Sequence, residues 1–374
     1  MQLSSFLCRL RDGVRAATTI KQLVKILTLF GFLSASYFGA VLLYKETGTS
    51  NPQARLQYRG STGTDKLGTQ AGVQQVQRNM LPQEPSVPPE KEEGTTPLNR
   101  TRPCPDDPPN LVGPLKVDFS LKLTLDEVRR KVSPSLREGG RSQPPDCVSK
   151  HRVAVIIPFR NRHEHLVYWL YYLHPILLRQ QLDYGVYVIN QDGEGVFNRA
   201  KLMNVGYVEA LKEYDYNCFV FSDIDLVPMN DHNLYRCFDN PRHLAVAMDK
   251  FNFQLPYNTF FGGVSSLSKD QYVKINGFPN TYWGWGGEDD DIHGRVGIRG
   301  MKISRPDLQT GKYMMVKHNR DLHNEANPGN PGKLRHIWGT IDTDGLNSLN
   351  YTVKEIVKDI MYTYITVDIQ APPS

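Results

Sequence analysis

The chain has 374 residues, a net charge of +5 and a hydrophobic fraction of 40%, enough for one large domain or two ordinary ones. The charge is too small and too scattered for a nucleic-acid binder, so no nucleic acid is expected as a partner. Part of it lies in the first 25 residues, where Arg9, Arg11, Arg15, Lys21 and Lys25 face only Asp12. Ile26 to Tyr44 then carries no ionisable side chain other than tyrosine. As a helix this run spans roughly 28 Å, close to a bilayer's hydrocarbon thickness. It exceeds the roughly 7–15 apolar residues of a cleaved signal peptide. The sequence therefore predicts a cytosolic tail over 1–25 and an uncleaved signal anchor over 26–44, with the rest lumenal or extracellular.

Residues 45–103 are rich in Gly, Thr, Gln and Pro and nearly free of aliphatic clusters. They cannot bury enough apolar area to offset their ordering entropy and read as a flexible stem before a domain over 104–374. Of the five cysteines, Cys8 falls in the tail and the other four are Cys104, Cys147, Cys218 and Cys237. In an oxidising compartment these four make two disulfides, for which about three connectivities exist. Chain order favours Cys104–Cys147 and Cys218–Cys237. No Cys-x-x-Cys pair is present, which argues against zinc. Asn99 and Asn350 begin Asn-x-Thr glycosylation sequons.

Within 104–374, Leu121 to Val132 reads as a short helix capped by Thr124, with Glu127 closing a capping box. His151 to Pro158 is a continuous apolar strand of the kind buried on both faces. A helix over 163–181, a strand over 184–190, a helix over 198–214 and strands over 219–225 and 244–248 follow. This alternation predicts an α/β fold with a mostly parallel central sheet and helices on both faces. Pro158-Phe159-Arg160-Asn161-Arg162 stands where a dinucleotide-binding strand would end in Gly-x-Gly-x-x-Gly, which disfavours a dehydrogenase of that type.

The strand over 219–225 ends in Asp223 and Asp225, spaced so that an extended chain would aim both at one cation. Arg160 and Arg162 after the first strand, and Phe197-Asn198-Arg199 after the second, offer guanidinium forks for phosphate and aromatic faces for a base. In a parallel sheet these strand ends share one crevice with the Asp pair. Tyr282 to Asp291 sets Trp283 and Trp285 between glycines and follows them with Glu288, Asp289, Asp290 and Asp291. The tryptophans predict a mobile sugar-covering loop, and the packed acids a source for a general base. Met315 and His318 offer a further donor pair, although a thioether is soft for an oxygen-preferring cation. Residues 319–334, irregular and rich in Gly and Pro, read as a lid.

Phe219-Val-Phe-Ser-Asp-Ile-Asp225, Asn276-Gly-Phe-Pro-Asn280, Trp283-Gly-Trp-Gly-Gly-Glu-Asp-Asp-Asp291 and Asp344-Gly-Leu-Asn-Ser-Leu349 resemble the vertebrate β-1,4-galactosyltransferases. The likeness covers about residues 104–369. It implies a GT-A fold on a single-pass type II Golgi membrane protein. The implied reaction is inverting, Mn²⁺-dependent transfer of galactose from UDP-galactose to the 4-hydroxyl of terminal N-acetylglucosamine or glucose. The acceptors would be glycoproteins or glycolipids, and the resemblance leaves room for a modifier protein of the α-lactalbumin kind. It implies Asp225, Met315 and His318 as metal ligands, with Asp289 as base and Glu288 beside it. The UDP-sugar site would comprise Pro158, Phe159, Arg160, Asn161, Arg162, Phe197, Asn198, Arg199, Ile224, Asp225, Lys250, Trp285 and His318. The acceptor sugar would meet Tyr257, Phe260, Gly287, Glu288, Asp289 and Asp290. The same two disulfides are implied.

Two positions depart from the family pattern. Phe260 stands where the family carries Tyr near the donor sugar's C2 group, which opens donor choice to N-acetylgalactosamine. Asn327-Pro-Gly-Asn-Pro331 replaces Asn-Pro-x-Arg-Phe in the lid. Alternative readings are an N-acetylgalactosaminyltransferase of the same fold, a non-catalytic glycan-binding surface protein and a metal-dependent nucleotide-sugar hydrolase.

Overall fold

The computed structural model describes residues 102–319 and 321–372. The tail, the expected anchor, nearly all of the stem, Cys8 and Asn99 lie outside these residues. Among the described residues no helix is long and apolar enough to cross a membrane.

The apolar run after His151 forms β1 (Arg152–Phe159), which pairs in parallel with β2 (Asp183–Gln191) and β3 (Cys218–Ser222). Pleating divides β1 between two cores. Val153, Val155, Ile157 and Phe159 face one, with α1 (Leu125–Val132) and α2 (His163–Arg179); Ala154 and Ile156 face the other, with α3 (Arg199–Glu213). The expected cap of α1 is present: the Thr124 hydroxyl accepts from the Glu127 amide, and the Glu127 carboxylate accepts from the Thr124 amide. Asn198 caps α3, its side chain accepting from the Lys201 amide.

The sheet is mixed rather than mostly parallel. Its order is β5-β7-β3-β1-β2-β10-β9, where β5 is Arg242–His243, β7 Val264–Ser268, β9 Thr352–Lys358 and β10 Thr363–Asp368. The four central strands are parallel, but β7 runs antiparallel to β3 and to β5, and β9 antiparallel to β10. The strand predicted over 244–248 shrinks to β6 (Ala247–Met248), which belongs to a second, three-stranded sheet with β4 (Leu226–Pro228) and β8 (Lys312–Met315). This small sheet fixes the site: β8 pairs antiparallel with β4, setting Met315 opposite Leu226, the neighbour of Asp225.

Both expected disulfides are formed, Cys104–Cys147 and Cys218–Cys237. The second joins the start of β3 to a point 19 residues on and closes the loop that carries Asp223, Asp225 and β4. Replacing Cys218 and Cys237 by Ser is expected to cost about 3 kcal/mol through restored loop freedom in the unfolded chain. Urea unfolding of the double variant checks this, and an unchanged midpoint would refute it.

Candidate active site

Strand β3 ends at Ser222, so Asp223 and Asp225 lie in the following turn and not on one face of an extended chain. They take different partners. Asp225 Oδ2 lies 3.0 Å from His318 Nε2, whereas Asp223 Oδ1 accepts from Arg199 Nε at 2.6 Å. Burial pushes Asp225 up, but the hydrogen bond and charge of His318 outweigh it and hold the carboxyl below its usual range. The same hydrogen bond to Asp225 raises His318. Burial lifts Asp223 to about 6, against Arg199 and with Asp225 and Asp289 adding to the rise.

Around this turn opens a cleft lined by Pro158, Arg160, Arg162, Phe197, Arg199, Ile224, Asp225, Lys250, Trp285, Met315 and His318. These include ten of the thirteen residues expected to hold a UDP-sugar; the other three lie outside the lining. Phe159 is 1% exposed and packs edge-on against His163 and Tyr364. Asn161 is exposed and outside the lining. Asn198 is fully buried, its amide donating to the Asn280 carbonyl at 2.8 Å while its oxygen caps α3.

Both arginines after β1 hold the expected lid. Arg160 donates to the carbonyls of Gly195 at 2.6 Å and Leu322 at 3.0 Å. Arg162 pairs with Asp321 at 2.5 Å. The lid and the tryptophan loop, read from sequence as separate mobile pieces, are stitched together: the Trp285 amide donates to the Glu325 carbonyl and the Asn327 amide to the Trp285 carbonyl. Asn330, fully buried, donates to the Gly286 carbonyl at 2.7 Å. The altered lid residue is thus a brace of the loop.

The acid run opens α4 (Glu288–Ile298) behind Gly287, whose φ of 96° lies in the left-handed region open to glycine. The four acids separate by role. Asp291 is buried, accepting from Tyr282 at 2.9 Å and Arg295 at 2.6 Å. Glu288 and Asp289 meet Arg199, whose Nη1 lies 2.8 Å from Asp289 Oδ1 and 3.6 Å from Glu288 Oε1. Burial would lower the Arg199 guanidinium, but Asp223, then Asp289 and Glu288, outweigh that and raise it. Asp289 lies directly over Gly262, where an added Cβ would come within 2.3 Å of its Oδ2.

A second pocket adjoins the cleft, lined by Tyr257, Phe260, Gly287, Glu288, Asp289 and Asp290 together with lid residues Asn327, Pro328, Pro331 and Leu334. All six expected acceptor residues are there. Phe260, Trp285, Glu288 and Asp289 line both cavities, so they form the partition between them.

Burial, then the charge of Asp289, pushes Glu288 up to about 7 from an ordinary 4.5. A carboxyl that binds its proton more tightly when folded loses stability as pH rises from its unfolded to its folded value. Glu288→Gln is expected to remove a fall in stability between pH 5 and 8 on the order of 2–3 kcal/mol. Denaturant titrations at both pH values test this; identical slopes in wild type and variant would contradict it.

Sequence reasoning missed His165 and Asp321, which also line the cleft. The His165 ring lies 5.1 Å from that of His318, and burial, then the charge of Arg162, lowers it to about 4. Its place on the inner face of α2 was the available signal. For a divalent cation the donors are the Asp225 carboxylate, His318 Nε2 and, in the same cleft, the Met315 thioether. Among the described residues no three His, Cys, Asp or Glu side chains converge as a metal site. A carboxylate and an imidazole nevertheless suit a borderline cation.

Residues 104–238 match the family described as the N-terminal region of glycosyl transferase group 7, and residues 242–319 the N-terminal domain of galactosyltransferase. β-1,4-Galactosyltransferase 1 of Bos taurus is 61% identical over 269 residues, 72% of this chain and 67% of that protein. β-1,4-Galactosyltransferase 4 of Mus musculus is 51% identical over 265 residues, 71% of this chain and 76% of that protein. The catalytic domain of Drosophila β-1,4-galactosyltransferase 7, solved with xylobiose, superposes with a TM-score of 0.52 at 27% identity, over 59% of this chain and 95% of that one. A mutant of the same enzyme, solved with manganese, UDP-Gal and xylobiose, gives the same figures. With both family matches together spanning more than half of its length, this chain belongs to the β-1,4-galactosyltransferases of glycosyl transferase group 7.

Proposed function

We propose that the chain transfers galactose from UDP-galactose to the 4-hydroxyl of a terminal N-acetylglucosamine or glucose, with inversion. One observation carries this reading: two cavities meet at Asp289, one flanked by Arg160, Arg162, Asp225 and His318 and the other by acids, an aromatic ring and the lid. The named relatives and the neighbour that binds UDP-Gal support it. The donor would occupy the first cavity and the acceptor the second. Asp289, steadied by Arg199, would take the proton from the acceptor hydroxyl as that oxygen attacks the anomeric carbon from the face opposite UDP. Trp285 and the lid would exclude water, which otherwise competes as acceptor. Asp225, His318 and Met315 would hold Mn²⁺, which when bound screens the diphosphate and acts as a Lewis acid toward the leaving group.

A panel of donors and acceptors with the full-length protein tests the proposal. Chelation is expected to abolish turnover and manganese to restore it. Absence of transfer to any N-acetylglucosamine acceptor with manganese supplied would refute the reading. Phe260 supports a second donor: it lines both cavities without a hydroxyl, so N-acetylgalactosamine meets no phenol at C2. Turnover with UDP-N-acetylgalactosamine equal to that with UDP-galactose would establish that reading.

Residues 26–44 are proposed to anchor the protein in the Golgi membrane, with the domain from 104 onward lumenal. The two disulfides fit an oxidising lumen. Protease protection in sealed vesicles tests the orientation. Glucose turnover with and without an α-lactalbumin-like subunit tests for a modifier.

A further inference from the structure

Residues 330–340 run as a short α-turn (Asn330–Lys333), a 3-10 turn and a second α-turn (Ile337–Thr340). The inner face of this segment is Asn330, Ile337 and Ile341, all buried. Pro331, Leu334 and Trp338 are spaced i, i+3 and i+7, which places them along the neighbouring flank. Pro331 and Leu334 line the second pocket. Trp338 extends the row beyond it and is 77% exposed, more than any other large apolar side chain among the described residues. A Cβ added at Gly332 or Gly339 would meet nothing, so the surface beside the row is open.

We infer that Trp338 is a sugar-stacking platform outside the acceptor pocket, which takes the saccharide unit that carries the terminal acceptor sugar. The inference rests on the reading that the second pocket holds that terminal sugar. A pyranose whose O4 points inward to Asp289 has C1 on the opposite side of its ring, facing the pocket mouth. The rest of the glycan must leave there, and Pro331 and Leu334 are part of the wall it can leave along. An indole presents a broad apolar surface to the C–H face of a pyranose while its edge stays wet. One row of three side chains falls well short of the roughly 800 Å² per partner of a stable protein interface. That favours a glycan as the occupant.

The test is steady-state kinetics of the full-length protein with N-acetylglucosamine and with its β-linked disaccharide. Trp338→Ala is expected to raise KM for the disaccharide about five-fold, the scale of one aromatic stack, and to leave kcat and the monosaccharide KM unchanged. Trp338→Phe is expected to recover most of the loss. Equal effects on both acceptors, or none on either, would overturn the platform. So would a loss confined to glycoprotein acceptors, which points to a protein partner. Should wild type transfer to no acceptor, the catalytic reading fails separately. Disaccharide binding by wild type and Trp338→Ala, followed by protein fluorescence, then decides the platform alone: weaker binding by the variant supports it and equal binding overturns it.

Discussion

The Asp289→Asn variant is expected to lose a factor of roughly 10²–10⁴ in kcat, the scale of a positioned general base, with its affinity for UDP unchanged. Asparagine keeps the shape that fits over Gly262, and its oxygen can still accept from Arg199 at the 2.8 Å contact. It cannot take a proton from the acceptor hydroxyl. Glu288 is the competing assignment, since it lines both cavities and its Oε2 is buried with no hydrogen-bond partner among the described residues. With its carboxyl pushed up to about 7 by burial, then by Asp289, Glu288 holds a proton in much of the population near neutrality. A protonated acid orients a sugar by donating a hydrogen bond. Glu288→Gln preserves that donor and is expected to raise the acceptor KM more than it lowers kcat. Comparison of the two variants over pH 5–9 decides between them. A Glu288→Gln defect equal to that of Asp289→Asn in kcat would move the base to Glu288.

How much of this was legible in sequence depended on whether a feature was local. Strands β1 to β3 were readable because each is a continuous apolar run, and α1 because Thr124 and Glu127 spell out its own cap. Strand β7, Val-Ser-Ser-Leu-Ser, gave no such signal, and β9 is exposed along most of its length. Both run antiparallel to their neighbours, and that made the sheet mixed. Phe159 illustrates parity: alternate residues of β1 enter opposite cores, and Phe159 falls in the core beneath α2. The Asp223–Asp225 spacing misled because the strand stops at Ser222, and in a turn the two-residue rule no longer sets direction. Met315 and His318 reach Asp225 through the register of β8 on β4, a long-range pairing that no local pattern encodes. The tryptophan–acid stretch was legible as a site, but the division of its four acids was not. That division depends on Arg199, which arrives from α3, and on Arg295, whose i,i+4 pairing with Asp291 shows only once the acid run is known to be helical.

Replacing Arg199 by Leu is expected to destabilise the domain by roughly 2–4 kcal/mol, a little under the range for a fully dry ion pair broken on one side, and to abolish transfer. Arg199 is the first residue of α3 and binds acids from both the turn after β3 and the acid run: Asp223 at 2.6 Å, Asp289 at 2.8 Å and Glu288 at 3.6 Å. The carboxylates are 9–29% exposed, so water relieves part of the cost. Without the guanidinium, three negative groups face one another. The penalty should shrink on going from pH 8 to pH 5, because Glu288, already raised to about 7, takes up its proton there. Arg199→Lys separates charge from geometry. A single ammonium keeps the positive charge but cannot address Asp223 through Nε and Asp289 through Nη1 at once. Stability near wild type with a lowered kcat is therefore expected for the lysine variant, since Asp289 loses its fixed orientation while the cluster stays compensated. Thermal unfolding and initial rates, measured on both variants at pH 5 and pH 8, test this directly. A lysine variant with full kcat would mean that only the charge of Arg199 matters, and that Asp289 is oriented by Gly262 and α4 alone.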